Sequence, residues 1–232
     1  MLLGEQLFVA KSAAKSITEH CQAGQRAFSE RDLIVVDTPG LFDTVRDELW
    51  IQREITACIQ AVMSGVHAFL LCIRCDTRYT QEEKDAIQWI KYMFGEQALA
   101  FCIVVFTHED AIHQIDKSAD ECLADFLQEG STNDLHALLT SCGNRYCAVS
   151  NTQDQQTQSS YTERIIEIID GLDGKMYTND LFELVKRAIR RSKESHGEFR
   201  LVEPNGQINV PPDAEKAARE YFRKSRGRSS RR

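Results

Sequence analysis

Leu33-Ile34-Val35-Val36-Asp37-Thr38-Pro39-Gly40-Leu41-Phe42-Asp43-Thr44 is the stretch on which the reading of this chain turns. Four consecutive apolar residues predict a strand buried on both faces. The run stops at a carboxylate, and Pro39-Gly40 then turns the chain. In an open parallel sheet, ligands sit beyond the carboxyl ends of the strands, so Asp37 falls where a bound ion or phosphate would lie. A carboxylate there can hold Mg²⁺ through water. Gly40 presents an N–H that a terminal phosphate can approach with no side chain in the way. Taken alone, Asp-x-x-Gly is also an ordinary surface turn.

The whole stretch resembles the third G motif of the AIG1-type GTPases, the immunity-associated nucleotide-binding (GIMAP-like) family, which carries Val-Val-Asp-Thr-Pro-Gly-Leu-Phe-Asp-Thr. The resemblance implies a three-layer α/β/α phosphate-loop NTPase-like G domain that takes GTP or GDP with Mg²⁺. Upstream, Thr18 in Ser16-Ile17-Thr18 matches the family's switch threonine, whose hydroxyl and carbonyl would help bind Mg²⁺ and phosphate. On its residues alone it reads as a loop position. No G-x-x-x-x-G-K-[ST] occurs in the 232 residues, and Gly4 and Lys11 lack the spacing, the second glycine and the Ser/Thr. Aligned on the family, Met1 falls inside the first helix, so the first strand and phosphate loop would precede it. The expectation is a G domain lacking both, either a fragment or a truncated form that binds nucleotide poorly. Without that strand, two neighbouring strands are expected to carry unpaired edges.

Downstream, residues 45–64 predict an amphipathic helix with Leu49, Ile55, Ile59, Val62 and Met63 near one face, ended by Gly65. His67–Ile73 is a second apolar strand. Thr80 and Glu83 fit a capping box that opens a helix with Ile87, Ile90 and Phe94 facing inward. His67-Ala68 and Arg78-Tyr79-Thr80 with Glu82-Glu83 resemble the family's characteristic box. The face around the nucleotide is where related GTPases dimerise, which makes Arg78 a candidate for stabilising phosphate charge across a homo- or hetero-dimer. Its plainer reading is a solvated residue at a helix entry.

Ala100–Phe106 is a buried strand ending in Thr107-His108-Glu109-Asp110. This resembles the fourth G motif, with the family's threonine at Thr107. Asp110 takes the place of the aspartate that accepts hydrogen bonds from guanine N1–H and the 2-amino group, a donor pair adenine lacks. His108 stands where a lysine is usual and could stack on the purine. Helices are expected over 111–129 and 132–142. Arg145-Tyr146-Cys147-Ala148-Val149-Ser150-Asn151 then resembles the fifth G motif, with Asn151 contacting the base. Residues 152–160 read as a polar, flexible loop. Two amphipathic helices follow, carrying Ile165, Ile166 and Ile169, then Leu181, Val185, Ala188 and Ile189. Pro204-Asn205-Gly206 and Pro211-Pro212 break regular structure, and 214–224 has the pattern of a short helix.

Composition is that of a globular protein, 42% hydrophobic and 27% charged. No apolar run approaches the ~18 residues of a membrane span, and no secretory signal pattern opens the chain. Cys72, Cys102 and Cys147 lie in apolar runs, where a thiol acts as a small hydrophobe. Cys72-Ile73-Arg74-Cys75 lacks a second ligand pair at zinc-site spacing. A reduced, cytoplasmic compartment fits, peripheral to an organelle membrane if the basic end engages lipid. From Arg219 onward seven basic residues face one acid, so the end carries +6 and the remainder −13 of the net −7. That end suits acidic headgroups better than nucleic acid, because few aromatics accompany it. A solvated, disordered end is the plainer alternative.

The expected organisation is an incomplete G domain over residues 1–195 and an extension over 196–232 with a basic, disordered end. The expected function is guanine-nucleotide binding with weak or absent hydrolysis. Leu41 follows Gly40 where Ras-like enzymes place a water-orienting glutamine. The alternative is a nucleotide-free interaction module that regulates an intact relative.

Overall fold

The computed structural model describes residues 1–4, 7–8, 18, 20–39, 47–77, 79–114, 116–130, 132–150, 154–197 and 200–229. In chain order the elements are β1 (Gln22–Phe28), β2 (Arg31–Asp37), α1 (Glu48–Ala61), β3 (Phe69–Arg74), α2 (Gln81–Phe94), β4 (Cys102–Thr107), α3 (Ala119–Gly130), α4 (Asn133–Ser141), β5 (Tyr146–Val149), α5 (Gln155–Asp170), α6 (Asp180–His196) and α7 (Pro212–Ser229). They fall into two compact units. Met1–Gly4 with Val66–Tyr177 form one, and Glu5–Gly65 with Thr178–Arg232 form the other.

The first unit is a parallel sheet in the order β3-β4-β5. Its central strand β4 is buried at Cys102 through Phe106, as a strand flanked on both edges and covered on both faces must be. Side chains alternate across the pleat. Cys102, Val104 and Phe106 join Ile87, Leu123, Leu127, Leu135 and Leu138 on one face. Ile103 and Val105 meet Ile165 on the other, with Met1 and Leu2 packed alongside. This is the expected helix–sheet–helix layering. The capping box is present: Thr80 Oγ1 accepts from the Glu83 N–H at 3.2 Å, and Glu83 Oε2 accepts from the Thr80 N–H at 2.8 Å. Ile87 is buried and Phe94 stacks on Phe69.

Three expected features of this unit differ. The helix expected from 111 starts only at Ala119, because Ser118 caps it: its hydroxyl accepts from the Glu121 N–H, and Glu121 returns a bond to the Ser118 N–H. The polar stretch 152–160, expected to be a loop, is helical from Gln155. Asp154 accepts from the N–H groups of Gln156 and Thr157 at 2.8 and 3.0 Å, and a polar composition suits the solvent face of an amphipathic helix. Cys72, expected to act as a buried hydrophobe, is exposed.

In the second unit β1 and β2 form an antiparallel hairpin in which Gln22 pairs with Asp37 and Phe28 with Arg31. Among the described residues β2 pairs only with β1, and β3 only with β4. The expectation of a parallel-type strand buried on both faces is therefore corrected for β2: Ile34 is 53% exposed. Among the described residues, Ala23 and Val36 of the hairpin pack with Ala57, Cys58 and Ala61 of α1, whereas Arg31 and Asp32 beside its turn are exposed. Leu49, expected to face inward, is likewise 53% exposed. It sits in the first turn of α1, beside the N-cap Asp47.

The segment after α6 is built into this unit. Ala23 N–H donates to Gly206 O at 2.9 Å, and Gln22 bridges to Gln207. Gly206 has φ +83°, and a Cβ there would lie 2.9 Å from Ala23 O, so both backbone conformation and space demand glycine. The helix expected over 214–224 is longer, Pro212–Ser229, and buries Ala214, Ala218 and Phe222. No described helix is long and apolar enough to cross a membrane.

Candidate functional site

The sequence-predicted residues divide between the two units, and each group is described within its own unit. Gly40, Arg78 and Asn151 lie outside the described residues.

In the second unit, β2 ends at Asp37 and the described position Thr18 meets it: Thr18 Oγ1 donates to Asp37 Oδ2 at 2.9 Å. The two residues predicted to serve Mg²⁺ are thus brought together across 19 positions of sequence. Burial holds the Asp37 carboxyl above its ordinary range, and the Thr18 hydroxyl pulls in the opposite direction. Two residues past Thr18, the chain is fastened to α1. Glu54 Oε2 accepts from the Cys21 N–H at 2.6 Å, and Glu54 Oε1 pairs with His20 Nδ1 at 2.9 Å. Glu54 is 2% exposed. It was not singled out in the sequence, because a glutamate within an amphipathic helix pattern gives no sign that it faces inward.

In the first unit, β4 ends at Thr107, whose hydroxyl donates to Ile73 O at 3.4 Å, while Cys75 N–H donates to Thr107 O at 2.9 Å. His108 then takes φ +61°, a left-handed conformation that turns the chain into a short 3₁₀ turn over Glu109–Ala111. This turn sets two neighbouring carboxylates in opposite environments. Glu109 is buried and Asp110 is exposed. Ser150 Oγ, from the end of β5 and fully buried, donates to Asp110 Oδ1 at 2.5 Å. Tyr161 Oη of α5 donates to Glu109 Oε2 at 2.9 Å, and the Ser150 backbone also bonds the Tyr161 oxygen.

Asp110, Ser150, Tyr161 and Glu109 therefore form one chain of hydrogen bonds that ties the ends of β4 and β5 to α5. Burial and the Glu109 contact push the Tyr161 phenol up to about 12. Ser150 was legible as part of a motif but not as the partner of Asp110. Glu109 and Tyr161 carried no sequence signal, being 52 positions apart.

A carboxylate offers about four lone-pair sites, so the single bond from Ser150 leaves Asp110 able to accept two more N–H groups. Among the described residues, Thr18 and Asp37 do not by themselves make a Mg²⁺-triphosphate site. Thr18 and Asp37 supply oxygen donors, but the chain contains no G-x-x-x-x-G-K-[ST] to furnish the backbone nest and lysine. Among the described residues no group of three or more His, Cys, Asp or Glu could hold a metal ion.

The AIG1 family model matches residues 1–196. This chain belongs to the AIG1 family. Among its relatives, Immune-associated nucleotide-binding protein 7 of Arabidopsis thaliana is 29% identical over 204 residues, covering 85% of this chain and 64% of the relative. Immune-associated nucleotide-binding protein 9 of the same plant is 30% identical over 216 residues, covering 90% and 62%. GTPase IMAP family member 8 of Homo sapiens is 26% identical over 174 residues, covering 74% of this chain and 25% of that protein. The AIG1-type chain thus spans under two thirds of the length of each. A crystal structure of Toc33 from Arabidopsis thaliana, a dimerization-deficient mutant, superposes with a TM-score of 0.51 at 13% identity, covering 76% of this chain and 80% of Toc33. That likeness bears on the fold, which is of the G-domain type.

Proposed function

We propose that this AIG1-type chain recognises guanine nucleotides chiefly through the base, with weak or absent GTP hydrolysis. The observation that carries the reading is the Ser150–Asp110 hydrogen bond at the carboxyl ends of β4 and β5. It holds an exposed carboxylate that has acceptor capacity left for a donor pair such as guanine N1–H and the 2-amino group. Thr107 and His108 border that position, and Asn151 follows Ser150 directly. Thr18 and Asp37, with Gly40, are the residues proposed to serve Mg²⁺ and phosphate. The names of the relatives, nucleotide-binding proteins and a GTPase, point the same way. Without a phosphate nest in these residues, affinity should depend little on the number of phosphates. Leu41 in place of a water-orienting glutamine supports slow or absent hydrolysis.

The test is a titration of the 232-residue chain with a fluorescent GTP analogue and Mg²⁺, with ATP as competitor. Saturable, guanine-selective binding is expected, and Asp110→Asn should weaken it and shift preference toward xanthine, whose 2-oxo group pairs with an amide. Unchanged GTP affinity in Asp110→Asn would remove Asp110 from the base site.

A second reading, a nucleotide-free interaction module acting on an intact relative, is favoured by the Thr18–Asp37 bond, which engages the carboxylate internally. A folded sample that binds no nucleotide would select it.

A further inference from the structure

Cys21 lies immediately before β1 and Cys58 lies in α1, and their sulfurs are 2.7 Å apart. Non-bonded heavy atoms settle at about 3.5 Å or more, and a disulfide bond measures about 2.05 Å. The pair sits between these values, so the fold already holds the two sulfurs close to bonding distance. We propose that Cys21 and Cys58 are a redox modification site, oxidised to an intramolecular disulfide by low-molecular-weight disulfides of the glutathione class. The inference is independent of nucleotide binding.

The surroundings give the two thiols different parts. Cys21 is 2% exposed and bonds Glu54 O through its Sγ at 3.2 Å, whereas Cys58 is half-buried. The Cys58 contact and burial hold the Cys21 thiol well above the usual range, so Cys21 stays protonated at neutral pH. Cys58, half-buried where Cys21 is enclosed, is the sulfur that a small disulfide reaches first. Its thiolate attacks one sulfur of RSSR, forms a mixed disulfide and releases RS⁻, which takes up the proton Cys58 lost. The Cys21 sulfur, giving up its proton to solvent, then attacks Cys58 Sγ and expels the second RS⁻. The balance is two protein thiols and one RSSR giving one protein disulfide and two RSH, with the protein oxidised and the small disulfide reduced.

Closing this bond joins positions 37 apart and encloses the whole β1–β2 hairpin together with Asp37. It also fixes to α1 the point three residues beyond Thr18, where Glu54 already holds the Cys21 N–H. Oxidation would thus add a covalent tie to the hydrogen bonds that hold His20 and Cys21 to α1.

The experiment is equilibration of the full chain with oxidised glutathione, alkylation of remaining thiols, and peptide mapping without reduction. The expected result is a linked Cys21–Cys58 peptide, a fall in alkylatable thiols from eight to six, and slower exchange of the Cys21 amide. Cys58→Ser should keep Cys21 alkylatable after denaturation and abolish the linked peptide. Recovery of Cys21 and Cys58 unlinked in the wild-type chain, or linkage of either to another cysteine such as Cys72, would overturn the proposal. Because the wild-type map decides the matter, misfolding of the variant would not protect it.

Discussion

Replacing Glu54 by alanine isolates what holds the Thr18 segment in place. The Glu54 side chain is 3% exposed and His20 is 59% exposed, so His20 rehydrates when its partner is removed and that pair contributes little. The Cys21 N–H does not rehydrate. Cys21 is 2% exposed, and its amide loses its 2.6 Å acceptor, a loss worth about 1–3 kcal/mol. The deleted methylene adds about 1 kcal/mol. Relief of carboxylate desolvation offsets part of this, leaving a destabilisation of about 2–3 kcal/mol. For a chain of this size, about 2–4 °C per kcal/mol translates that into a fall of about 4–12 °C in the unfolding midpoint. Glu54→Gln keeps one oxygen acceptor for the Cys21 N–H and should lose roughly half as much. Thermal unfolding followed by circular dichroism, with hydrogen exchange of the Cys21 amide, reads both effects. An alanine variant with an unchanged midpoint and an unchanged Cys21 exchange rate would refute the argument.

Three further outcomes follow from the same geometry. The Tyr161 phenol is pushed up to about 12, chiefly by burial and then by Glu109, as is Tyr79 by burial. A raised folded-state value means stability that is complete below the ordinary tyrosine range and lost as pH rises toward about 12. Tyr161→Phe should therefore delete one late-titrating phenol in an alkaline absorbance titration, and a curve identical to wild type would contradict the assignment. Asp37 is likewise raised by burial, so its contribution is full in acid and fades as pH rises through its folded-state value. Asp37→Asn should gain stability relative to wild type between about pH 3 and pH 7, and denaturation midpoints showing a constant difference across that range would be inconsistent with the buried carboxylate. Phe222, 2% exposed on α7, should cost about 3–5 kcal/mol when changed to alanine. A chemical-denaturation midpoint matching wild type would mean that α7 is not part of the core.

What the sequence determined by itself was local. The continuous apolar run before Thr107 marked a central strand, Thr80 and Glu83 announced a capping box, and motif order placed Asp37 and Asp110 at strand ends. Each is encoded within a few residues, where periodicity and capping chemistry act. Even there the reading failed where a longer-range fact decided. Four apolar residues in β2 look buried, yet Ile34 is exposed, because burial depends on what packs against the strand and not on the run itself. Polar residues 155–160 look like a loop, yet they are the outer turns of a capped helix.

Only the tertiary structure set Ser150 against Asp110, Tyr161 against Glu109, Thr18 against Asp37 and Cys21 against Cys58, at separations of 40, 52, 19 and 37 residues. None of these pairs leaves a trace in local composition. Each exists because the strand order and the helix faces bring distant backbone segments together, and a single carboxylate, hydroxyl or thiol is then placed within bonding reach of another.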